Sequence, residues 1–265
     1  MPLVLGARMR ALQASGRKAF IPYLTAGYPD LETFATLLGH TQVADCVEIG
    51  LPYSDPVADG PSICHASDVA LAAGMHADAL FDLLAGQRDL PPLVLMTYLN
   101  PVLAYGVEAF MVRAAAAGVH GLLVTDLPPE EGEPVFAAAA AQGIASVLLV
   151  SPTTKEARLR AVAAQATGFL YAVAVTGTTG ARDVLGSQAE PLVRRVRAAT
   201  DLPVVVGFGL STPEQVQQVC RFADGAVVGS ALVDVVRSQR DRGAASRAFA
   251  ARLESLAAAA HAAAP

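Results

Sequence analysis

No tryptophan, only two lysines and three scattered cysteines occur in this 265-residue sequence. With a net charge of −5 and no cluster of Lys or Arg, it lacks the electrostatic footprint of a protein that binds nucleic acid or an anionic membrane. The cysteines, Cys46, Cys64 and Cys220, are odd in number and far apart. They suggest neither a disulfide framework nor a metal knuckle, and they fit a reducing cytoplasm. No run approaches the ~18 apolar residues of a membrane span, and the short apolar start from Met1 has no charged region ahead of it. The expected product is a soluble, unexported, cytoplasmic protein.

What is abundant is apolar side chain: 53% of residues are hydrophobic and 16% charged, enough to bury a sheet on both faces. Short β-branched runs recur at Ala19–Leu24, Cys46–Ile49, Leu93–Tyr98, Gly121–Thr125, Ser146–Val150, Phe169–Val173, Val204–Gly207 and Gly225–Val228. Helical stretches alternate with them, at about 30–43, 66–86, 105–117, 129–142, 154–165, 187–199, 211–221 and 243–260, with Asp30, Thr153, Ser187 and Ser211 as N-cap candidates. Eight βα units predict a (β/α)8 TIM barrel forming one domain over residues 1–265, with extra short helices at the N-terminus and after strand eight. An open doubly wound sheet would carry an early glycine-rich dinucleotide fingerprint, and Leu24-Thr25-Ala26-Gly27-Tyr28 is not one.

In such a barrel the active face lies at the strand C-termini. The second strand, Cys46-Val47-Glu48-Ile49, carries an acid within an apolar run, where burying an ionised carboxylate is costly. The plain alternative is a Glu turned to solvent at the strand end. The loop after it, 50–61, contains three prolines and two more acids, Asp55 and Asp59, either of which could simply begin a turn. On the far side, Gly207-Phe208-Gly209, Gly229-Ser230 and Thr176-Gly177-Thr178-Thr179-Gly180 follow strands seven, eight and six. Any one of these glycine pairs reads as an ordinary turn, but three on consecutive loops of one face form a candidate anion cradle built from amide dipoles and a helix N-terminus.

The string Glu-Ile-Gly-Leu-Pro-Tyr-Ser-Asp-Pro-Val-Ala-Asp-Gly-Pro, residues 48–61, resembles the signature of the tryptophan synthase alpha family. The likeness extends from Phe20–Gly27 through Thr125-Asp126-Leu127-Pro128 to Gly229-Ser230-Ala231, nearly the whole chain. It implies cleavage of indole-3-glycerol phosphate to indole and glyceraldehyde 3-phosphate, with Glu48 and Asp59 as the catalytic pair. It places phosphate contacts at Gly180, Gly209, Gly229 and Ser230, and a loop-positioning role at Asp126 with Thr179. Tyr23, Met96, Tyr98, Leu99 and Tyr171, at or near strand ends, are candidates for the indole wall, although plain core packing would explain each nearly as well. The resemblance further implies an α2β2 assembly with a beta subunit, contacted through the second loop at Pro52, Asp55 and Pro56. Pyridoxal phosphate would sit in that partner, leaving no cofactor and no metal in this chain.

Rival chemistries lack their groups. A Schiff-base lysine would have to be Lys18, before the first strand, or Lys155, leading into a helix. Of the histidines, His40 and His261 fall on helices, His120 precedes a strand, and only His65 and His76 lie near an upper loop. No ligand triad emerges, which leaves carboxylate acid–base catalysis. Two departures from the family bear on partner coupling: Val173-Ala174-Val175-Thr176-Gly177-Thr178-Thr179-Gly180 in the sixth loop, and Ser62-Ile63-Cys64-His65 with Val69 after the second. A stand-alone lyase releasing free indole and a catalytically silent phosphate-binding subunit are the alternatives.

Overall fold

The computed structural model describes residues 3–173, 184–207 and 209–263. Its strands are β1 (Ala19–Thr25), β2 (Val47–Gly50), β3 (Leu93–Thr97), β4 (Val119–Val124), β5 (Ala145–Ser146), β6 (Leu148–Val150), β7 (Leu170–Val173), β8 (Val204–Gly207) and β9 (Gly225–Val228). All pairings are parallel, in the order β5-β4-β3-β2-β1-β9-β8-β7-β6. β5 and β6 are two halves of one barrel position, interrupted at Val147. Val147 N donates to Leu122 O on one side and Gly168 N to Ser146 O on the other. Eight staves therefore close nearly into a barrel, as the eight apolar runs predict. The strands are almost wholly buried on both faces, which is why they read as continuous apolar runs and not as alternating ones.

The helices are α1 (Val4–Ala14), α2 (Leu31–Gly39), α3 (Pro61–Ala72), α4 (Ala77–Ala85), α5 (Leu99–Tyr105), α6 (Val107–Ala116), α7 (Glu133–Ala141), α8 (Glu156–Gln165), α9 (Val184–Arg197), α10 (Pro213–Cys220), α11 (Ser230–Arg237) and α12 (Arg242–His261). Asp30 caps α2 by accepting from Thr33 N, as expected. Three other cap expectations are corrected. Thr212, not Ser211, caps α10 through a reciprocal box with Gln215; Lys155, not Thr153, precedes α8; and Ser187 lies inside α9. The helical stretch expected at 66–86 is two helices. Gly74, at φ +86, breaks it, and His76 starts α4 by accepting from Ala79 N, so this histidine is a cap. His120 lies within β4 and does not precede it.

The bottom of the barrel is closed. Leu5 of α1 plugs it, packed so closely that a Cβ on Gly121 would stand 2.4 Å from its Cδ2. Two buried acids fasten the strand starts. Asp45 accepts from Phe20 N, Arg8 and His261, and Asp224 accepts from Val204 N and Arg197. With the base sealed, a ligand has only the opposite end to enter. Among the described residues no helix is long and apolar enough to cross a membrane.

Candidate active site

The register sets Tyr23 beside Glu48 and Gly50 beside Met96. Paired residues on adjacent parallel strands project to the same face, so these side chains share one side of the sheet. That side is the lumen, because Glu48 also acts electrostatically on Tyr171 of β7, a strand that does not neighbour β2. Glu48 is 2% exposed and its Oε2 has no hydrogen-bond partner. Burial first, and then the charge of Asp59, push its pKa up to about 8.

Asp59 arrives on the loop between β2 and α3. Tyr98 holds that loop: Ala58 N donates to its phenolic oxygen at 3.1 Å. The Cys64 thiol donates to the Asp59 carbonyl from the first turn of α3. Burial raises the Asp59 pKa to about 6, against the opposing pull of the Tyr98 hydrogen bond, and its Oδ1 is buried without a partner.

Among the described residues, three buried side-chain polar atoms lack a partner, and two of them are these carboxylate oxygens. An unsatisfied buried acceptor costs about 1–3 kcal/mol. Two in one lumen mark a place shaped for donors that a ligand brings. Between pH 6 and 8 the pair is also split in charge, with Glu48 protonated and Asp59 ionised, the division of labour expected of an acid and its electrostatic partner.

Tyr23, Met96, Tyr98 and Tyr171 are all buried around this pair, whereas Leu99 is half-buried at the start of α5 and forms rim more than wall. The Tyr53 ring stacks on Tyr98 with centroids 5.1 Å apart, and Asn100 donates to the Tyr53 hydroxyl. On the other side Gly229 forms the N-cap of α11 and Ser230 its first residue, so unpaired helix N–H groups face outward there. A Cβ on Gly229 would lie 3.4 Å from the Tyr23 Cβ, which puts this helix start against the same wall. Gly209, exposed at φ +79, follows β8. Gly180 and Thr179 lie outside the described residues.

No group of three His, Cys, Asp or Glu side chains able to hold a metal occurs among the described residues. Lys18 donates to Ala223 O at the base of the barrel, and Lys155 is exposed ahead of α8. A narrow cavity lined by Tyr23, Thr25 and Tyr28 as well as Leu37, Val236 and Phe249 lies between β1 and the helices α2, α11 and α12. The carboxylates do not line it, so it is not the reacting site.

The sequence profile of the family described as Tryptophan synthase alpha chain matches residues 9–263. The chain belongs to the tryptophan synthase alpha chain family. It is 45% identical over 242 residues to the tryptophan synthase alpha chain of Phenylobacterium zucineum, covering 89% of this chain and 87% of that one. The protein of the same name from Gloeobacter violaceus is 49% identical over 233 residues, covering 85% and 84%. A solved structure of Mycobacterium tuberculosis tryptophan synthase superposes with a TM-score of 0.87 at 37% identity, covering 98% of this chain and 99% of the other. The tryptophan synthase subunit alpha of Legionella pneumophila gives 0.85 at 35%, covering 96% and 97%.

Within this alpha chain family member, other residues singled out from sequence fall as follows. Asp126 is exposed, and its Oδ1 accepts from Leu99 N at 2.7 Å, fixing the start of α5. In the second loop Asp55 and Pro56 reach the surface, Val57 at its tip is 84% exposed, and Pro52 is buried inside this chain. His65 is exposed on α3, edge-on to Tyr28. Sequence reading missed Thr125 and Thr25. The Thr125 hydroxyl donates to the Thr97 carbonyl oxygen at 3.3 Å, and the Thr25 hydroxyl donates to the Tyr23 oxygen at 3.2 Å. A threonine at the end of a β-branched run carries no signal of its own; Thr25 finds its partner two residues back on β1, and Thr125 finds its partner on the neighbouring β3.

Proposed function

We propose that Glu48 and Asp59 are the acid–base pair with which this chain performs the alpha reaction of tryptophan synthase. The chain is a carbon–carbon lyase: it cleaves indole-3-glycerol phosphate to indole and glyceraldehyde 3-phosphate in tryptophan biosynthesis. The observation that carries the residue assignment is the meeting of two unpartnered carboxylate oxygens with separated proton affinities in one lumen.

Protonated Glu48 delivers its proton to the indole ring carbon that bears the glycerol chain, making the ring nitrogen electron-poor. Ionised Asp59 accepts the ring N–H and stabilises that positive charge. Glu48, now ionised, takes the proton from the hydroxyl beside the breaking bond. The carbon–carbon bond then opens, its electron pair returning to the ring while the hydroxyl oxygen becomes the aldehyde carbonyl. Glu48 ends as it began, so one carboxyl serves both transfers.

Gly209, Gly229 and Ser230, together with Gly180, hold the phosphate and tether the departing aldehyde. Tyr23, Met96, Tyr98 and Tyr171 enclose the indole. The whole chain, residues 1–265, acts as one barrel domain in the cytoplasm. Its partner is a beta subunit in an α2β2 complex, met through Asp55, Pro56 and Val57, with pyridoxal phosphate confined to that partner; Thr179 and Asp126 order the loops between the two sites.

The test is indole release from indole-3-glycerol phosphate by the purified chain. Glu48→Gln is expected to abolish release while inorganic phosphate still binds; undiminished turnover by that variant would sink the assignment. Adding a beta subunit is expected to raise the rate severalfold, and full activity of the chain alone would argue for a self-sufficient lyase.

A further inference from the structure

Tyr23 brings an unspent proton to the same lumen as the two carboxylates. It is in register with Glu48, and its ring leans along the strand until the hydroxyl lies over Gly50. Thr25, paired with Gly50, donates to the Tyr23 oxygen at 3.2 Å. A phenol carries one proton and two lone pairs. Thr25 fills a lone pair, so the phenol keeps its own proton to give. Among the described residues no hydrogen bond takes that proton. Neither Glu48 Oε2 nor Asp59 Oδ1 accepts it, since both are without a partner. Burial first, and then the charge of Asp59, hold the Tyr23 pKa well above the ordinary phenol value, so the proton is in place throughout the neutral range.

The sheet order defines what this proton faces. β1 lies between β9 and β2. β9 leads to Gly229 and the start of α11, assigned above to the phosphate, and β2 carries Glu48, assigned to the breaking bond. The Tyr23 side chain adjoins both neighbours: a Cβ on Gly229 would lie 3.4 Å from its Cβ, and one on Gly50 would lie 2.1 Å from its hydroxyl oxygen. A substrate gripped beyond β9 and split beside β2 passes its connecting carbons across β1. In indole-3-glycerol phosphate that connection carries a single hydroxyl between the reacting one and the phosphate, the second hydroxyl of the glycerol chain.

We propose that Tyr23 is a specificity-determining residue whose hydroxyl, held by Thr25, donates to the second glycerol hydroxyl of the substrate. This rests on the acid and phosphate assignments made above. The ring remains part of the pocket wall, and only its tip is polar. The second hydroxyl takes no part in bond breaking, so the contact is equally strong before and during the reaction; it lowers KM and leaves kcat alone. A substrate without that hydroxyl leaves the buried phenol proton unpaired, which makes the same contact a means of rejection.

The experiment crosses two deletions. Tyr23→Phe removes one hydroxyl, and a substrate analogue lacking only the second glycerol hydroxyl removes the other while keeping ring, reacting hydroxyl and phosphate. Phenylalanine keeps the ring over Gly50, so the variant is expected to fold. With the full substrate, Tyr23→Phe is expected to raise KM about fivefold at nearly constant kcat. With the analogue, Tyr23→Phe is expected to be at least as active as the unmodified chain. A loss of the same size with both substrates, or a loss carried by kcat, overturns the proposal.

Thr25 supplies a second check. Thr25→Val removes the donor that orients the phenol and is expected to raise KM for the full substrate about two- to threefold, whereas Thr25→Ser leaves it unchanged. Added to Tyr23→Phe, Thr25→Val is expected to cost nothing more, since no phenol oxygen remains to be held. A full further loss there overturns the part given to Thr25. An unmodified chain without lyase activity overturns this inference together with the reading beneath it. An active chain that shows no coupling between Tyr23 and the second hydroxyl overturns this inference alone.

Discussion

The phenol of Tyr23 occupies the space that any side chain on Gly50 would need: a Cβ there would stand 2.1 Å from its hydroxyl oxygen. Tyr171 stands in the same relation to Gly207, again at 2.1 Å. In each case the tyrosine is paired with the residue two before the glycine, Glu48 or Val205, so the ring leans along the neighbouring strand and lies over the gap. Two strand glycines thus admit the two tyrosine rings that both feel the charge of Glu48.

Gly50→Ala is expected to push the Tyr23 ring out of place, costing about 1–3 kcal/mol of stability and a larger share of activity. Tyr23→Leu removes the obstructing ring, so the double variant should lose less stability than the sum of the two single changes. Denaturant unfolding of the four proteins measures this coupling, and strict additivity would show that the methyl is accommodated elsewhere.

The pH dependence follows from the two carboxyls. Activity needs Asp59 ionised, which fails below about 6, and Glu48 protonated, which fails above about 8. A bell-shaped kcat/KM profile with limbs near those values is expected, the limbs belonging to the coupled pair. Asp59→Asn should flatten the acid limb in whatever activity remains.

Glu48 also makes the fold pH-sensitive in a definite direction. Its folded pKa is raised above its ordinary value, so the native state holds the proton more tightly than the unfolded chain does. The contribution is fully present below pH ~4.5 and is lost as the pH rises through about 8. Glu48→Gln, which cannot ionise, is expected to be more stable than the unmodified chain at pH 9, by on the order of a few kcal/mol, and little different at pH 4. Chemical denaturation at the two pH values decides it.

At the closed end, Asp45 gathers Arg8, His261 and Phe20 N, joining both ends of the chain to β1. Arg17 stands 3.3 Å away as a further ion pair. Removing a buried charged partner of this kind costs about 3–5 kcal/mol. Asp45→Ala should therefore lower Tm by roughly 6–15 °C while leaving kcat at 25 °C near its original value, because this cluster lies at the opposite end of the barrel. A kcat collapse without a Tm change would contradict that separation.

Much of this was legible from residue order. The eight apolar runs correspond to the eight barrel positions, and Glu48 stood out because an acid in a strand needs an explanation. The errors came where local preference competes with the next turn. Ser211 and Thr212 are equally good caps by type, and Gln215 three residues after Thr212 selects Thr212 by closing the box. The 66–86 stretch keeps helical composition across a break that a single glycine backbone angle imposes.

What the sequence by itself determined was the alternation of buried strands with helices, and an acid-bearing strand followed by an acid-bearing, proline-stiffened loop. Those features depend on spacing along the chain, and spacing is what composition and periodicity record. Only the tertiary structure decided which groups meet. Tyr98 holds the second loop at Ala58 N, Tyr23 covers Gly50, and Tyr171 feels Glu48 across the lumen, because strand register and barrel closure bring together groups separated by dozens of residues. The proton affinities of Glu48 and Asp59 arise in the same way: burial raises both, the charge of Asp59 raises Glu48 further and Tyr98 opposes the rise at Asp59, and none of this exists until the barrel has closed.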